Sequence, residues 1–488
     1  MSTDSNDSIT PDEKLISVNR FAGSGILLFI DLLLVAIANW IYWVIISKIN
    51  STSEIGQATT IYSLALLVST ITQLGLEYPL LKRSSALHNQ RQIVGTALVI
   101  EIAITLASIP LVVYVTNNFE DKSLHQFTWM AVAMIILSST GFVARFSLLG
   151  ISDVKKVLVI DIIGAAVKFA TGYALVLMGL AVFGVVMSIL LNILFVTGAA
   201  LFFASRKFTF SIGNLTYFKE IIQDALANMP SKLSRVLIFS LSIVLLASFG
   251  ITSSDIGVFY LALMVSIVIG GLTSSMAFMI IPPSSESKTD LSSSGMRIGL
   301  SLTAPLITAL VVAPKVILSL IGTQYTSAEI ILLVLSASIL PSAITINTVS
   351  KFNNLNKPRK LILIGSVEIL TFLVSFVFLV PTYGTLGAAF STLIAFASSA
   401  FVSLIWSERV VMRYIAICII GILAGSAAGR FVGFVTVAGD RYPFAQILLS
   451  IAVTLTIIIA LKNTSIIEIG DLVKAIVTTR HKSRDARH

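Results

Sequence analysis

Residues 53–56, Ser-Glu-Ile-Gly, recur as residues 254–257, Ser-Asp-Ile-Gly, about 200 positions later. Each copy runs into a similar apolar segment, YSLALLVS at residues 62–69 and YLALMVS at residues 260–266. Matched segments at this separation in a hydrophobic chain indicate two related halves. The rest of the chain can be placed around this duplication.

The composition is that of a membrane protein. Of the 488 residues, 56% are hydrophobic and only 12% are charged, and the mean hydropathy is +0.96, which leaves too little polar surface for a soluble domain. The net charge of +9 is explained by basic cytoplasmic loops, so we expect no nucleic-acid partner. The single cysteine, Cys418, excludes an internal disulfide, and the four histidines lie in polar connections, so no metal site is predicted.

The hydrophobic pattern predicts an all-α polytopic fold with about fourteen transmembrane helices, because each apolar run is close to the ~20 residues that a bilayer requires. The first run, residues 21–47, is too long for the core of a signal peptide. The later spans are predicted at residues 56–80, 93–117, 127–149, 156–178, 181–204, 224–249, 256–281, 298–320, 328–350, 360–380, 386–406, 411–434 and 443–461.

The basic residues predict the orientation. If the N-terminus is cytoplasmic, the outer connections hold only Lys48, Lys122, Lys315 and Arg441. The remaining connections then carry most of the Lys and Arg, as cytoplasmic loops do. We expect a multi-pass protein of the cytoplasmic membrane with both termini in the cytoplasm. The inner residues are Lys82, Arg83, Arg91, Lys155, Lys156, Arg206, Lys207, Lys219, Lys351, Lys357, Arg359, Lys360 and those of the tail from Lys462 to Arg487.

The repeat extends beyond its opening, because the basic pair at residues 155–156 is echoed at residues 359–360 and GVVMS at 184–188 is echoed by GAAFS at 387–391. An even number of helices in each repeat places the relating axis along the membrane normal, and the cleft between two six-helix lobes is the expected substrate site. The predicted parts are a cytoplasmic N-terminal tail (1–21), an N-lobe of spans one to six (22–205), a cytoplasmic linker (206–223), a C-lobe of spans seven to twelve (224–406), spans thirteen and fourteen (407–462) and a basic amphipathic tail (463–488).

Three segments resemble one family. The run from Ile55 to Gly75, followed by Lys82-Arg83, resembles the second helix of polysaccharide flippases, which are exporters of O-antigen and lipid-linked oligosaccharides in the multidrug/oligosaccharidyl-lipid/polysaccharide superfamily. Residues 381–389, PTYGTLGAA, resemble that family's turn between helices eleven and twelve, and residues 321–328, IGTQYTSA, its connection before helix ten. The resemblance covers most of residues 20–406, and the two extra C-terminal helices also fit.

The resemblance implies a transporter that flips a polyprenyl-(pyro)phosphate-linked oligosaccharide across the cytoplasmic membrane by alternating access. Its implied partners are the lipid-linked oligosaccharide, membrane lipids and polysaccharide-assembly enzymes. No cofactor is expected besides coupling to a proton or sodium gradient, and the chain lacks a glycine-rich phosphate loop followed by Lys-Ser or Lys-Thr, so we predict no enzymatic activity.

Charged residues inside the spans are the candidate site residues, because each costs at least ~2.5 kcal/mol at mid-bilayer unless it is paired or hydrated. Basic groups match a phosphate, so the expected substrate-binding residues are Lys232, Arg235, Lys168 and Arg145. The expected ion-coupling acids are Asp31, Glu101 and Glu368. Asp161 lies seven residues before Lys168, too far for a pair on adjacent helical turns.

Two hypotheses remain open from the sequence. The first is the flippase, with an anionic lipid head held by the basic residues. The second is a multidrug antiporter of the related MATE type, in which Asp31 exchanges a proton or sodium for a cationic drug. The repeat also makes Asp31 and Lys232 equivalent positions, which predicts that an acid and a base face each other across the cleft.

Glycine patterns predict close helix packing. Pro381 is expected to end one helix and Gly384 to allow a tight turn before the next. Span thirteen carries Gly421, Gly425, Gly429 and Gly433 at every fourth position, a stripe that predicts close contact with another helix. Pro110, Pro305 and Pro314 are expected to kink their helices.

Overall fold

The computed structural model describes residues 33–77, 90–151, 153–207, 238–287, 292–355, 357–407, 409–435 and 443–461, together with residues 31, 80, 211, 218, 219, 221, 222 and 225. The predicted N-terminal tail (1–21) and basic tail (463–488) lie outside these residues, as does most of the predicted linker (206–223). Lys232 and Arg235 also lie outside them, so their placement stays a prediction.

The described chain is helical, and its helices follow the fourteen predicted spans in order. Nine of the described helices are long and apolar enough to cross a membrane, and a bent pair makes a tenth. The first six are α1 (Leu33–Ile49), α2 (Thr52–Thr72), α3 (Gln90–Asn117), α4 (Thr128–Gly150), α5 (Val154–Leu177) and α6 (Ala181–Ser205). The second six begin with α7 (Ile238–Ser248), α8 (Ser253–Ser287), α9 (Ser292–Val312) and α10 (Glu329–Asn354).

The helix Pro358–Leu404 completes the second six and breaks at Gly384, whose φ of 54° and ψ of −130° are not helical. We number its two parts α11 (358–383) and α12 (385–404). Two further helices follow, α13 (Arg409–Val435) and α14 (Pro443–Ala460). The all-α prediction with about fourteen helices is confirmed.

The helix pattern repeats along the chain. In the first half, a 3₁₀ helix at Lys122–Phe127 leads directly into α4, and in the second half a 3₁₀ helix at Thr323–Ala328 leads directly into α10. Likewise α2 begins at Thr52 and α8 at Ser253, the positions of the two sequence motifs. The duplication therefore describes whole runs of helices and is not confined to a short segment.

Both motifs start helices in the same way. Ser51 caps α2 by accepting a hydrogen bond from the Glu54 amide at 3.3 Å, while the Glu54 carboxylate accepts one from the Ser51 amide at 2.8 Å. At α8 the hydroxyl of Thr252 accepts from the Asp255 amide at 3.2 Å and donates to the Asp255 carboxylate at 2.8 Å. The acidic residue of each motif is thus the capping partner at a helix start, where a negative charge is also favoured by the helix dipole.

The two helix starts touch one another. A Cβ atom at Gly56 would collide with the carbonyl of Ser253, and a Cβ at Gly257 would collide with the carbonyl of Thr52. The hydroxyls of Thr52 and Ser254 are also 2.7 Å apart. Glycine is required at both positions because backbone passes directly over backbone. We call this end of the helix bundle, predicted to face outward, the motif end.

The structure departs from the predicted helices at two prolines. Pro314 is expected to kink span nine (298–320), but the bend is a complete break: α9 ends at Val312 and a short helix, Pro314–Ile321, continues at 89° to it. Pro314 stands at the first position of that new helix, where its missing amide costs nothing. Pro381 does not end a helix either, because α11 continues past it to the break at Gly384.

The glycine stripe of α13 contacts two helices. A Cβ at Gly421 would contact Thr454 of α14, and one at Gly425 would collide with the hydroxyl of that residue and lie close to Thr308 of α9. Gly429 faces Val312 of α9 and Ser450 of α14. These contacts pack α13 against α14 and the second set of six helices, as the stripe predicts.

Candidate functional site: a buried charge cluster beside the lobe boundary

Three charged residues of the first six helices form a cluster, which we call the charge cluster. Arg145 of α4 donates to Asp31, at the start of α1, with Nη2 and Oδ2 3.3 Å apart. The same nitrogen donates to Oδ2 of Asp161 on α5. One guanidinium on α4 therefore joins α1 to α5.

The charge cluster is buried and carries an excess acid. Asp31 is fully buried, the Asp161 side chain is 6% exposed, and only Arg145, at 31%, has substantial access to the surroundings. Two carboxylates against one guanidinium give a net charge of about −1 if both acids are ionised, which is costly in a membrane interior. Oδ1 of Asp31 has no hydrogen-bond partner in the described part of the chain. The cluster is therefore suited to bind one proton or one monovalent cation.

Lys168, two helical turns further along α5, has neutral partners. Its ammonium donates to Oδ1 of Asn39 at 2.6 Å and lies 4.4 Å from the centre of the Tyr42 ring. Tyr42 is itself fixed by a hydroxyl contact of 2.6 Å with Ser188 of α6. An amide oxygen and an aromatic face stabilise a cation without cancelling its charge, so neither of these described partners gives Lys168 a counter-charge.

Lys168 lies close to the boundary between the two sets of helices. The Asn39 amide that holds it also approaches the sulfur of Met264 on α8 at 3.9 Å. One helical turn away, the rings of Trp43 and Tyr260 meet edge to face, with centroids 4.9 Å apart. Asn39 therefore lies between Lys168 and the second lobe, because it contacts both the lysine and Met264.

The other predicted acids lie elsewhere. Glu101 of α3 is fully buried and accepts from the Thr72 hydroxyl at 3.3 Å, which places it against the end of α2. Glu368 is buried on α11 in the second lobe. The structure therefore brings Asp31 and Arg145 together, and leaves Glu101 and Glu368 at separate places.

Three residues of this region are not among the predicted site residues. Asp161 is too far from Lys168 to pair with it, and its partner Arg145 lies on the preceding helix and not on its own. Asn39 and Tyr42 are the other two, and the available signal for Asn39 is a polar residue eight positions after Asp31 in an apolar helix. The described partner of Asp31 lies in its own lobe; Lys232 is not described, so the predicted pairing of Asp31 with Lys232 stays a prediction.

The motif end is closed by contacts that each lobe makes with the other. Asp121, just before the first 3₁₀ helix, accepts from Ser253 of α8 at 2.7 Å and from Gln57 of α2 at 2.9 Å. In the second lobe, Gln324 and Tyr325 of the other 3₁₀ helix donate to the Ser47 carbonyl of α1 at 3.1 and 3.4 Å. Both lobes therefore use the same structural element to reach across.

The contact made by Asp121 differs from those made by Gln324 and Tyr325 because the Asp121 carboxylate can carry a charge. Partial burial would raise its pKa, but hydrogen bonds from Ser123, Ser253 and Gln57 outweigh burial and lower the pKa below its ordinary value. Asp121 therefore remains ionised at neutral pH in the closed arrangement.

A cavity of about 380 Å³ opens beside this contact, between Asp121 and the start of α8. Glu120 also lines it, with its carboxylate directly over the backbone of Gly250. Two carboxylates would repel a phosphate, so this cavity does not fit an anionic headgroup.

The described helices form two related lobes with helices long and apolar enough to cross a membrane, and comparisons with known proteins agree on this fold. The lipid II flippase MurJ in an inward closed conformation matches with a TM-score of 0.72 and 13% sequence identity over 89% of this chain and 98% of that chain. An inward-facing multidrug resistance MATE transporter of the MOP superfamily matches with a TM-score of 0.58 and 14% identity over 79% of this chain and 94% of that chain.

The MATE multidrug transporter DinF-BH matches with a TM-score of 0.56 and 15% identity, covering 85% of this chain and all of that chain. No protein-family model and no curated protein sequence matches the chain. The chain has the fold shared by MurJ and the MATE transporters, and the resemblance to this superfamily is confirmed at the level of the fold.

Proposed function

We propose that this protein flips a polyprenyl-(pyro)phosphate-linked oligosaccharide across the cytoplasmic membrane by alternating access, for the assembly of a surface polysaccharide or glycan. The supplier of such a substrate and its consumer are polysaccharide-assembly enzymes. Both termini face the cytoplasm, as the distribution of Lys and Arg favours.

The observation that carries this proposal is the fold. The TM-score of 0.72 with a lipid flippase exceeds the 0.58 and 0.56 obtained with the two MATE transporters, and the flippase match covers more of this chain. The fold of this chain therefore follows the flippase more closely, and over more of its length, than it follows either drug transporter.

The surroundings of Lys168 support an anionic substrate. Its described partners, Asn39 and Tyr42, are neutral, so a phosphate that reached this lysine would supply the counter-charge that they do not. In this proposal Lys168, together with Lys232 and Arg235, attracts the phosphate as the lobes separate. Arg145 is already engaged by two carboxylates, so its proposed contribution is to the coupling ion and not to the substrate.

We propose that the charge cluster carries the coupling ion, a proton or Na⁺. Its excess negative charge is relieved when one cation binds, and the bound and unbound forms would favour different lobe arrangements because α1 and α5 are joined through Arg145. Glu101 and Glu368 remain proposed accessory acids for this step.

A flipping assay tests the substrate. Purified protein is reconstituted into liposomes that contain a fluorescent polyprenyl-pyrophosphate saccharide, and an added enzyme that cannot cross the membrane acts only on the sugar displayed outside. We expect transfer by the wild type and a loss of more than about tenfold with Lys168→Met, because the charge is removed while the shape is nearly kept. Lys155→Met, an exposed lysine at the start of α5, is the matched control.

Two further variants address the residues outside the described part of the chain. Arg235→Ala should abolish transfer, whereas Arg235→Lys should retain part of it because the charge survives without the planar fork. Full activity of Lys232→Ala/Arg235→Ala would remove both residues from the site, and wild-type activity of Lys168→Met would remove Lys168.

A cation-coupled multidrug antiporter is the second candidate, favoured by the excess acid of the charge cluster. The same liposomes distinguish the two functions when they are loaded with a cationic dye and given a proton or sodium gradient. Dye exchange without transfer of the lipid-linked saccharide would replace the flippase proposal with this one.

A further inference from the structure

Three helix ends meet at one corner of the second lobe. α10 ends at Asn354, α11 begins at Pro358 and α12 ends at Leu404. Three basic residues, Lys357, Arg359 and Lys360, occupy the first turn of α11 and the residue before it. Adjacent helices that end at one level mark a membrane boundary, so these cations lie at headgroup depth. We call them, with the residues that hold Lys360, the basic corner.

Lys360 is held in place by aromatic rings. Its ammonium lies 4.8 Å from the centre of the Phe352 ring and 4.7 Å from that of Trp406, and the two rings meet edge to face at 5.5 Å. A cation fixed between two rings keeps its charge and loses little further freedom when an anion binds. The basic corner is therefore prepared before any ligand arrives.

The basic corner has no internal counter-ion in the described part of the chain. No ion pair links Lys357, Arg359 or Lys360 to a described carboxylate, and the first turn of α11 contains no acidic residue. Cations near a helix N-terminus also oppose the helix dipole. Three positive charges that no described carboxylate balances favour an anion from outside the protein at this place.

The equivalent corner of the first lobe is different. Lys156 is the counterpart of Lys360, and its ammonium lies 5.5 Å from the Phe203 ring, the counterpart of Trp406. However, Lys156 also forms an ion pair with Asp153 at 2.6 Å. The repeat keeps the lysine and the ring, but only the second lobe leaves the lysine without an acid among the described residues.

The surface around the basic corner is apolar and exposed. Leu355 is 49% exposed and Ile405 is 66% exposed, and Ile362 follows one turn into α11 with 43% exposure. A ligand at this place therefore meets cations at one end and a lipid-facing surface at the other. Such a ligand is an amphiphile with a phosphate head.

We infer that the basic corner binds the phosphate of an anionic membrane lipid in the leaflet that faces the predicted cytoplasmic side. Arg359 and Lys357 reach the phosphate oxygens from the exposed turn, Lys360 provides a fixed charge, and the acyl chains lie along the exposed residues of α11 and α12. This site is separate from the charge cluster and does not depend on the proposed transport function.

The test uses the full-length protein in nanodiscs and a pair of variants with the same change in charge. Arg359→Gln/Lys360→Gln alters the basic corner, and Lys155→Gln/Lys156→Gln alters the equivalent positions of the first lobe. Binding of phosphatidylglycerol is measured against a phosphatidylcholine background by native mass spectrometry. We expect the first variant to bind phosphatidylglycerol about tenfold more weakly and the second to change by less than about twofold.

A second measurement needs no charge variant. The fluorescence of Trp406 is obtained as the difference between the wild type and Trp406→Phe. Brominated phosphatidylglycerol should quench this fluorescence, and brominated phosphatidylcholine should quench it less. This measurement decides the question if Arg359→Gln/Lys360→Gln does not fold.

Three outcomes would overturn the inference. Equal losses in the two double variants would mean a general attraction of anionic lipid to basic loops, and no loss in either would mean that no site exists. If inorganic phosphate displaced the lipid at equal concentration, the corner would bind free phosphate and the acyl chains would contribute nothing.

Discussion

The two lobes have the same helices but different interiors. When Thr128 is aligned with Glu329 and Lys156 with Lys360, the repeat assigns to Arg145, Asp161 and Lys168 of the first lobe the counterparts Ile346, Gly365 and Phe372 of the second. Ile346 and Phe372 are buried, and Phe372 packs on Phe376 with ring centroids 5.3 Å apart. At the positions where the first lobe holds these three ions, the second lobe holds uncharged residues.

This difference shows that the fold does not require ions at these three positions. The second lobe builds the same arrangement of α10 and α11 without them, and replacing a buried ion network by apolar groups is often neutral or stabilising. The second lobe therefore serves as an internal control for Arg145 and Asp161 of the charge cluster; the third member, Asp31, aligns with Lys232, which lies outside the described residues.

The largest effect should follow from Arg145→Ala. Two buried carboxylates would lose their shared cation, and breaking a buried pair in this way costs about 3–5 kcal/mol. Thermal unfolding in detergent measures it, and the counterpart change Ile346→Val should cost only about 1 kcal/mol. Arg145→Ala/Asp161→Asn should recover part of the loss, since one of the two acids is then neutral; a double variant no more stable than Arg145→Ala would show that the acids are not repelling each other.

A smaller effect, equal in the two lobes, is expected at the motif end. Gly56→Ala and Gly257→Ala each force a methyl group into the backbone of the other motif. Each change should destabilise the closed motif end by about 1–3 kcal/mol relative to a separated one. Maleimide labelling of a cysteine introduced at Ser254, with Cys418 replaced by Ser, should speed up in both variants. Gly198→Ala is the control, because no atom lies within 4 Å of a Cβ at that position. A clear inequality between the two motif variants would contradict the symmetric contact.

The smallest effect concerns pH at the same end. Because the pKa of Asp121 is lowered in the closed arrangement, its contribution is fully present above the ordinary carboxyl pKa of about 3.9 and is lost as the pH falls through the lowered value. Because maleimide reacts with the thiolate, the labelling rate at Ser254 is divided at each pH by the rate of a small exposed thiol. This relative labelling should be constant from about pH 5 to 8 and rise only below about pH 4.

Asp121→Asn should raise that relative labelling by about twofold to fivefold between about pH 5 and 8 and remove the acid dependence, since these hydrogen bonds are partly exposed. Gln324→Ala, which removes the neutral contact made by the second lobe, should raise the labelling and leave the acid dependence of Asp121 intact. An acid dependence that survives in Asp121→Asn would assign the titration to another group.

The helices and the repeat were predictable because both depend on local composition. Apolar runs indicate the number of helices, and the recurrence of Gly56 as Gly257 identifies equivalent positions, which the structure places in contact. The sharp turn at Ala313 was not predictable, because a proline inside an apolar run signals a mild kink as well as a new helix start.

The candidate site was predictable in its residue types and not in its pairings. Asp31 and Arg145 stood out because charges are rare in spans, yet 114 residues separate them, and no periodicity within a helix can identify a partner on another helix. The same reason explains why Asp161 was assigned no partner.

The crossing of Gly56 and Gly257 has the geometry of an isologous dimer interface enclosed in one chain, since each glycine contacts the same part of the opposite motif. A single-lobe ancestor that paired with a second copy of itself would have needed one glycine to form both halves of this contact. In the fused chain the two positions mutate separately while their contact remains shared. A side chain at either glycine would collide with the backbone of the other motif. Each lobe therefore constrains the other at this crossing, although their interiors differ.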